Sequence, residues 1–146
     1  MKHANRRTAL TAGQKKDADR LQRYIHREGL RSVMNSTKWA EMETALLTIP
    51  GFRPEFRVKC VREPEPTGDY WDMSFPFHLP SRVTIEWLDI DPFRRIRRGA
   101  LIDDEITDFT NEVVVALRSC HVPFSRERGV IRIWGYLRPG QTPDFQ

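Results

Sequence analysis

The chain has 146 residues, of which 39% are apolar and 30% charged, with a formal net charge of +4. That size supports one modest core, hence one domain or one domain with an appendage. No apolar run nears the roughly 20 residues that span a bilayer. The basic start at 1–7 runs into a stretch too short and polar for a signal-peptide core, so the sequence predicts a cytoplasmic protein with no membrane contact.

The charge is unevenly placed. Residues 1–33 hold nine Lys or Arg against three Asp or Glu, and the remainder holds fifteen against seventeen. The basic character therefore belongs to an N-terminal arm. The chain divides on this reading into an arm at 1–33, a single domain at 34–138 and a flexible tail at 139–146.

Residues 1–13 carry no apolar period. Residues 14–30 fit a helix with a thin stripe of Ala18, Leu21 and Ile25, extended by Tyr24 and stopped at Gly29. Lys15, Lys16, Arg20 and Arg23 surround that stripe. Asn35, Ser36 or Thr37 can cap a second helix whose buried stripe is Trp39, Met42, Leu46 and Ile49. Phe56, Val58 and Cys60 then alternate with Arg57, Lys59 and Val61, the period of a half-buried strand.

Residues 63–80 break the pattern with five prolines or glycines and an aromatic set, Tyr70, Trp71, Phe75 and Phe77. A long irregular connection of this kind is either functional or folded back on the core. Residues 82–91 form the next strand, with Val83, Ile85 and Trp87 on one side and Glu86, Leu88 and Ile90 on the other. Arg94, Arg95, Arg97 and Arg98 follow. Ile102, Ile106, Phe109, Val113, Leu117 and Cys120 recur at helical spacing, which predicts a helix with Asp103, Asp104 and Glu105 in its first turn. Residues 125–129 read as a turn. In the last strand, Ile131, Ile133 and Leu137 point one way and Arg132, Trp134 and Tyr136 the other.

The resulting order, (α)-α-β-β-α-β, predicts a two-layer α+β domain. Its helices cover one face of a small three-stranded mixed sheet, and a right-handed crossover makes the last two strands parallel. Cys60 and Cys120 form no CxxC and read as buried free thiols.

The sequence contains neither a Gly-rich phosphate loop nor a GxSxG elbow, and its four histidines are isolated. No cofactor, metal site or catalytic residue is therefore assigned. Glu86, Asp89 and Asp91 offer hard-cation oxygens, and Glu55, Lys59 and Asp89 a nuclease-like set, but the spacing of Glu55 and Lys59 is four rather than two. Arg57, Lys59, Thr84, Glu86, Arg132, Trp134 and Tyr136 would share the second sheet face, either pairing across strands or stacking bases.

Thr37-Lys38-Trp39, the run from Ile85 to Pro92 (IEWLDIDP) and Ile133-Trp134-Gly135-Tyr136 resemble the marks of a family of small uncharacterised bacterial cytoplasmic proteins. The resemblance spans about 34–138 and implies a bacterial source with no established activity.

Function then falls into three classes. A non-catalytic protein-binding module, of immunity-protein or adaptor type, would use Tyr70, Trp71, Phe75, Phe77, Arg132, Trp134 and Tyr136 toward a protein partner. A nucleic-acid-binding accessory protein would use Lys15, Lys16, Arg20 and Arg23 with Arg94, Arg95, Arg97 and Arg98. A hydrolase with an unrecognised site is the third.

Overall fold

The computed structural model describes residues 9–68 and 71–146. Helix α1 (Ala12–Glu28) opens with a reciprocal cap. The Thr11 hydroxyl accepts from the Gln14 amide at 3.1 Å, and the Gln14 side chain accepts from the Thr11 amide at 2.9 Å. Gly29, left-handed at φ 65°, ends it. Helix α2 (Ser36–Thr48) is capped by Asn35, whose side-chain oxygen accepts from the Lys38 amide at 2.8 Å.

The main sheet holds four strands in the order β2–β3–β7–β6: β2 (Glu55–Cys60), β3 (Ile85–Asp91), β7 (Val130–Trp134) and β6 (Phe124–Glu127). Every pairing in it is antiparallel. One face carries Phe56, Leu88, Ile90, Ile131, Ile133 and Phe124, all buried against Trp39, Met42 and Leu46 of α2 and Val113 and Leu117 of α3 (Thr110–Ser119). The expected α+β class with α2 and α3 on one face is therefore present.

The sheet itself differs from the expected three-stranded mixed one. Residues 101–109 are not helical. Glu105–Asp108 is strand β5, paired with β4 (Phe93–Ile96) as a separate two-stranded sheet. Ile102 and Ile106 are 61% and 55% exposed, so they extend the helical spacing by coincidence. Asp108 ends β5, and its side chain accepts from the amide of Thr110, the first residue of α3, at 2.9 Å. The expected turn at 125–129 is also largely strand. Arg128 and Gly129, both at positive φ, make the two-residue turn of the β6–β7 hairpin. The crossover after β3 thus delivers the chain to β6 at the sheet edge, and β7 returns between them antiparallel to both.

A register shift between Lys59 and Cys60 re-aims the strand beside them. As a result Ile85 joins Leu88 and Ile90 in the main core instead of facing with Trp87. Leu137 likewise leaves the face of Ile131 and Ile133 and packs with Trp87, Trp134 and Val33. Gly135, just before it, interrupts the strand. A Cβ on Gly135 would lie 2.1 Å from the Ile85 carbonyl oxygen, and the Gly135 amide donates to the Glu86 carbonyl at 2.8 Å. Only glycine permits that approach. The interruption creates β8 (Tyr136–Leu137), which pairs with β1 (Arg31–Ser32).

α1 is fastened through this second sheet. Leu21 and Leu30 are buried with Val61 and Tyr136, and Tyr24 and Ile25 pack against them. The Tyr136 hydroxyl donates to the Val83 carbonyl at 2.7 Å. At the other end of the chain, the Gln146 amide donates to the Phe124 carbonyl at 3.0 Å. The start of the basic arm, residues 1–8, lies outside the described residues. Among the described residues, no helix is long and apolar enough to cross a membrane.

Two outcomes follow from this packing. Gly135→Ala pushes a methyl into the β3 backbone and is expected to cost about 3 kcal/mol, near the top of the range for overpacking; equilibrium denaturation measures it. Deleting 1–33 removes two buried leucines and the partner of β8. It is expected to cost at least about 3 kcal/mol relative to the full chain, from apolar burial alone.

Candidate functional site

The face of the sheet opposite α2 and α3 carries a row of polar side chains, one from each strand. Arg57 on β2 lies opposite Asp89 on β3, Asp89 opposite Arg132 on β7, and Arg132 opposite Ser125 on β6. Asp89 is fully buried and accepts three hydrogen bonds from two arginines. Its Oδ1 takes the Arg132 Nε hydrogen at 2.8 Å, and its Oδ2 takes Arg132 Nη2 at 3.1 Å and Arg57 Nη2 at 3.4 Å. A forked guanidinium on a carboxylate is among the stronger charged contacts. Burial opposes the Arg132 charge, but the Asp89 hydrogen bonds and charge outweigh it, so its pKa stands above the ordinary arginine value.

Aromatic plates hold both guanidiniums. Arg132 lies 3.7 Å from the centroid of Trp87 and 5.6 Å from that of Trp134, while Arg57 lies 4.6 Å from that of Trp71. The Trp134 indole N–H donates to the Ser125 hydroxyl at 2.9 Å, which in turn donates to Glu127 at 2.9 Å. Arg57, Arg132, Glu127, Arg128 and Val130 line an open cavity of about 370 Å³. The Arg57 Nε is buried with no hydrogen-bond partner among the described residues.

A second ionic cluster lies next along the face. Glu86, 2% exposed, takes Lys59 Nζ at 2.6 Å and Arg138 Nε at 2.5 Å. This arrangement occupies the groups that the sequence offered for metal or nuclease chemistry. Glu86 is committed to Lys59 and Arg138, Asp89 to the two arginines, and the Asp91 side chain accepts the Phe93 amide at 3.0 Å. No group of three or more His, Cys, Asp or Glu side chains is arranged to hold a metal among the described residues. In the neighbouring row, partial burial and then the paired Asp91 raise the Glu55 pKa, against Arg95.

The aromatic residues expected at a partner surface are dispersed. Tyr70 lies outside the described residues. Phe75 is 7% exposed and packs edge-on against Phe56, with centroids 5.8 Å apart. Trp134 and Tyr136 are buried in separate clusters. Trp71 is half-buried over Arg57, and Phe77 alone of the described members of the set is freely exposed, at 88%. Met73, 76% exposed, joins it on the same loop without having been singled out.

Of the basic residues, Lys15, Lys16, Arg20 and Arg23 are exposed on α1. Arg94 donates to the Gly51 carbonyl and Arg98 pairs with Glu105 at 2.6 Å, leaving Arg95 and Arg97 exposed nearby. Cys60 and Cys120 are free thiols but only half-buried. Sequence reasoning placed Arg57 and Arg132 on one face but missed Asp89 between them. The alternation Trp87-x-Asp89-x-Asp91 against Arg57-x-Lys59 was the available signal, and the shift at Lys59 hid it.

A family model described as a family of unknown function, DUF6678, matches residues 21–140. The chain belongs to that family. No curated protein and no solved structure matches the chain. The matched span includes Leu21 and Leu30 of the α1 cluster, and it contains every residue of the polar row.

Removing Asp89 would leave two guanidiniums facing each other over a buried site. Asp89→Ala is therefore expected to cost about 3–5 kcal/mol, the usual result of deleting one partner of a buried ion pair. Denaturant unfolding monitored by the nearby tryptophans reads it.

Proposed function

We propose that this protein is a non-catalytic protein-binding module, of adaptor or immunity-protein type. The observation that carries the reading is the way the 71–80 loop is held. Trp71 lies over Arg57 on one face of the sheet, and Phe75 packs into the core on the other. Between them, Phe56 and Asp72 exchange backbone hydrogen bonds at 3.0 and 2.8 Å. Asp72 also accepts from the Ser74 amide at 2.8 Å and contacts His78 Nδ1 at 2.9 Å. The Ser74 amide bond and then the His78 contacts hold the Asp72 carboxyl below its ordinary pKa.

A loop fastened at so many points would lie flat if covering the core were its whole purpose. Instead it holds Met73 and Phe77 out in solvent. Single exposed apolar side chains are common, but a pair on an anchored loop is preorganised, which lowers the ordering cost of binding. The variant Met73→Ala/Phe77→Ala is expected to keep its stability within about 0.5 kcal/mol, as for exposed sites generally. It is expected to lose at least about ten-fold in affinity for a protein partner first identified by crosslinking in source cells, as for truncated interface anchors. Unchanged affinity would remove the loop from the interface.

A second reading rests on the exposed Lys15, Lys16, Arg20 and Arg23 of α1, a stripe that would suit a phosphate backbone. It predicts oligonucleotide binding that weakens steeply with salt, with a slope flattened by neutralising these four residues. Salt-independent or absent binding excludes it.

A further inference from the structure

The cavity beside the polar row has a chemistry of its own. Three guanidiniums line it, those of Arg57, Arg128 and Arg132, with Glu127 and Val130. Asp89 engages one N–H nitrogen of Arg57 and two of Arg132. An arginine carries five donors, so both keep donors beyond those bonds. Their side chains are 26% and 20% exposed while Asp89 stays fully covered, and the Arg57 Nε is buried without a hydrogen-bond partner among the described residues. Contact with the rings of Trp71 and Trp87 restricts both guanidiniums before any ligand arrives. Arg128 completes the set from the hairpin turn. Asp89, Glu127 and Glu65 all act on Arg132, so the three guanidiniums meet three carboxylates, and what the cavity offers an anion is free forked donors rather than surplus charge.

Resting on the protein-binding reading above, we propose that Arg57, Arg128 and Arg132 bind a single carboxylate from an acidic segment of the partner. Planar carboxylates fit forked guanidinium donors. The neighbouring row on the same face argues against a nucleic-acid strand. It places Glu55 opposite Asp91 and Glu127 opposite Val130. Successive phosphates running past the cavity would meet those carboxylates, whereas one isolated anion would not. The cavity's size, about 370 Å³, suits one side chain or chain end.

The test uses the full chain and the fluorescence of Trp71, Trp87 and Trp134, which touch the arginines directly. The probes are a capped tetraglutamate peptide, glutarate, inorganic phosphate, a single-stranded oligonucleotide and a capped tetralysine peptide. Saturable binding of tetraglutamate and glutarate is expected, tighter than phosphate or the oligonucleotide, with no response to tetralysine. Arg128→Gly removes one guanidinium but suits a turn residue at φ 48°. It is expected to weaken carboxylate binding about ten-fold, the loss of one charged hydrogen-bond partner. Arg118→Ala, on the opposite side of the sheet in α3, should bind as the parent does. The proposal is overturned if the parent shows no saturable carboxylate response, if Arg128→Gly binds as tightly as the parent, or if phosphate or the oligonucleotide binds more tightly. Those failures are separable from failure of the protein-binding reading, because the latter is read on the Met73/Phe77 surface with a partner protein and no carboxylate probe.

Discussion

A carboxylate with no solvent exposure sits at the centre of the sheet's polar face, and much of that face is arranged around it. An uncompensated Asp89 would be too costly to bury. Arg132 and Arg57 reach it from the two neighbouring strands, which ties β2, β3 and β7 together on the side opposite α2 and α3. Their charged heads in turn need cover, and Trp87, Trp134 and Trp71 supply it. Trp134 then needs an acceptor for its indole N–H, which Ser125 on β6 provides. One buried charge thus organises four strands. Buried ion pairs seldom add more stability than an apolar replacement would. The value of this one lies in its geometry, which fixes two guanidiniums at the edge of a cavity.

Glycine 135 has the complementary part. By stopping β7 against the Ile85 carbonyl it separates the main sheet from the β1–β8 pair. Tyr136 and Leu137 are then free to bury in two different clusters, one of them under α1. The motif residues Ile85 to Asp91 and Ile133 to Tyr136 meet along the β3–β7 pairing and beside it. Their roles as seen are packing, pairing and close backbone approach.

The helices were readable because their stripes and caps agree. Trp39, Met42 and Leu46 recur at helical spacing behind Asn35, and α1 closes on Gly29. The region after β3 misled because Ile102 and Ile106 continue the period of Phe109, Val113 and Leu117. Period alone cannot separate a helix from a strand that feeds one, and pairing with the arginine-rich β4 decided the matter. The β6 strand was obscured by its polar residues, since Ser125 and Glu127 serve Trp134 from a sheet edge. The candidate site was half legible. Alternation placed Arg57, Arg132 and Trp134 together, but the register that brings Asp89 between the arginines depends on a bulge, and bulges leave little trace in composition. Composition sets the aromatic loop apart, but the inward turn of Phe75 onto Phe56, beside the bridge of Phe56 to Asp72, has no signal in it.

The coupling between Asp89 and Arg132 decides whether the buried charge pair organises the face. A double-mutant cycle with Asp89→Ala, Arg132→Ala and the combined variant, read by denaturant unfolding, isolates it. A coupling of about 2 kcal/mol or more is expected, in the upper range for residues that share a hydrogen-bonded network. Additive losses, with coupling below about 0.3 kcal/mol, would contradict the dependence of the face on this pair.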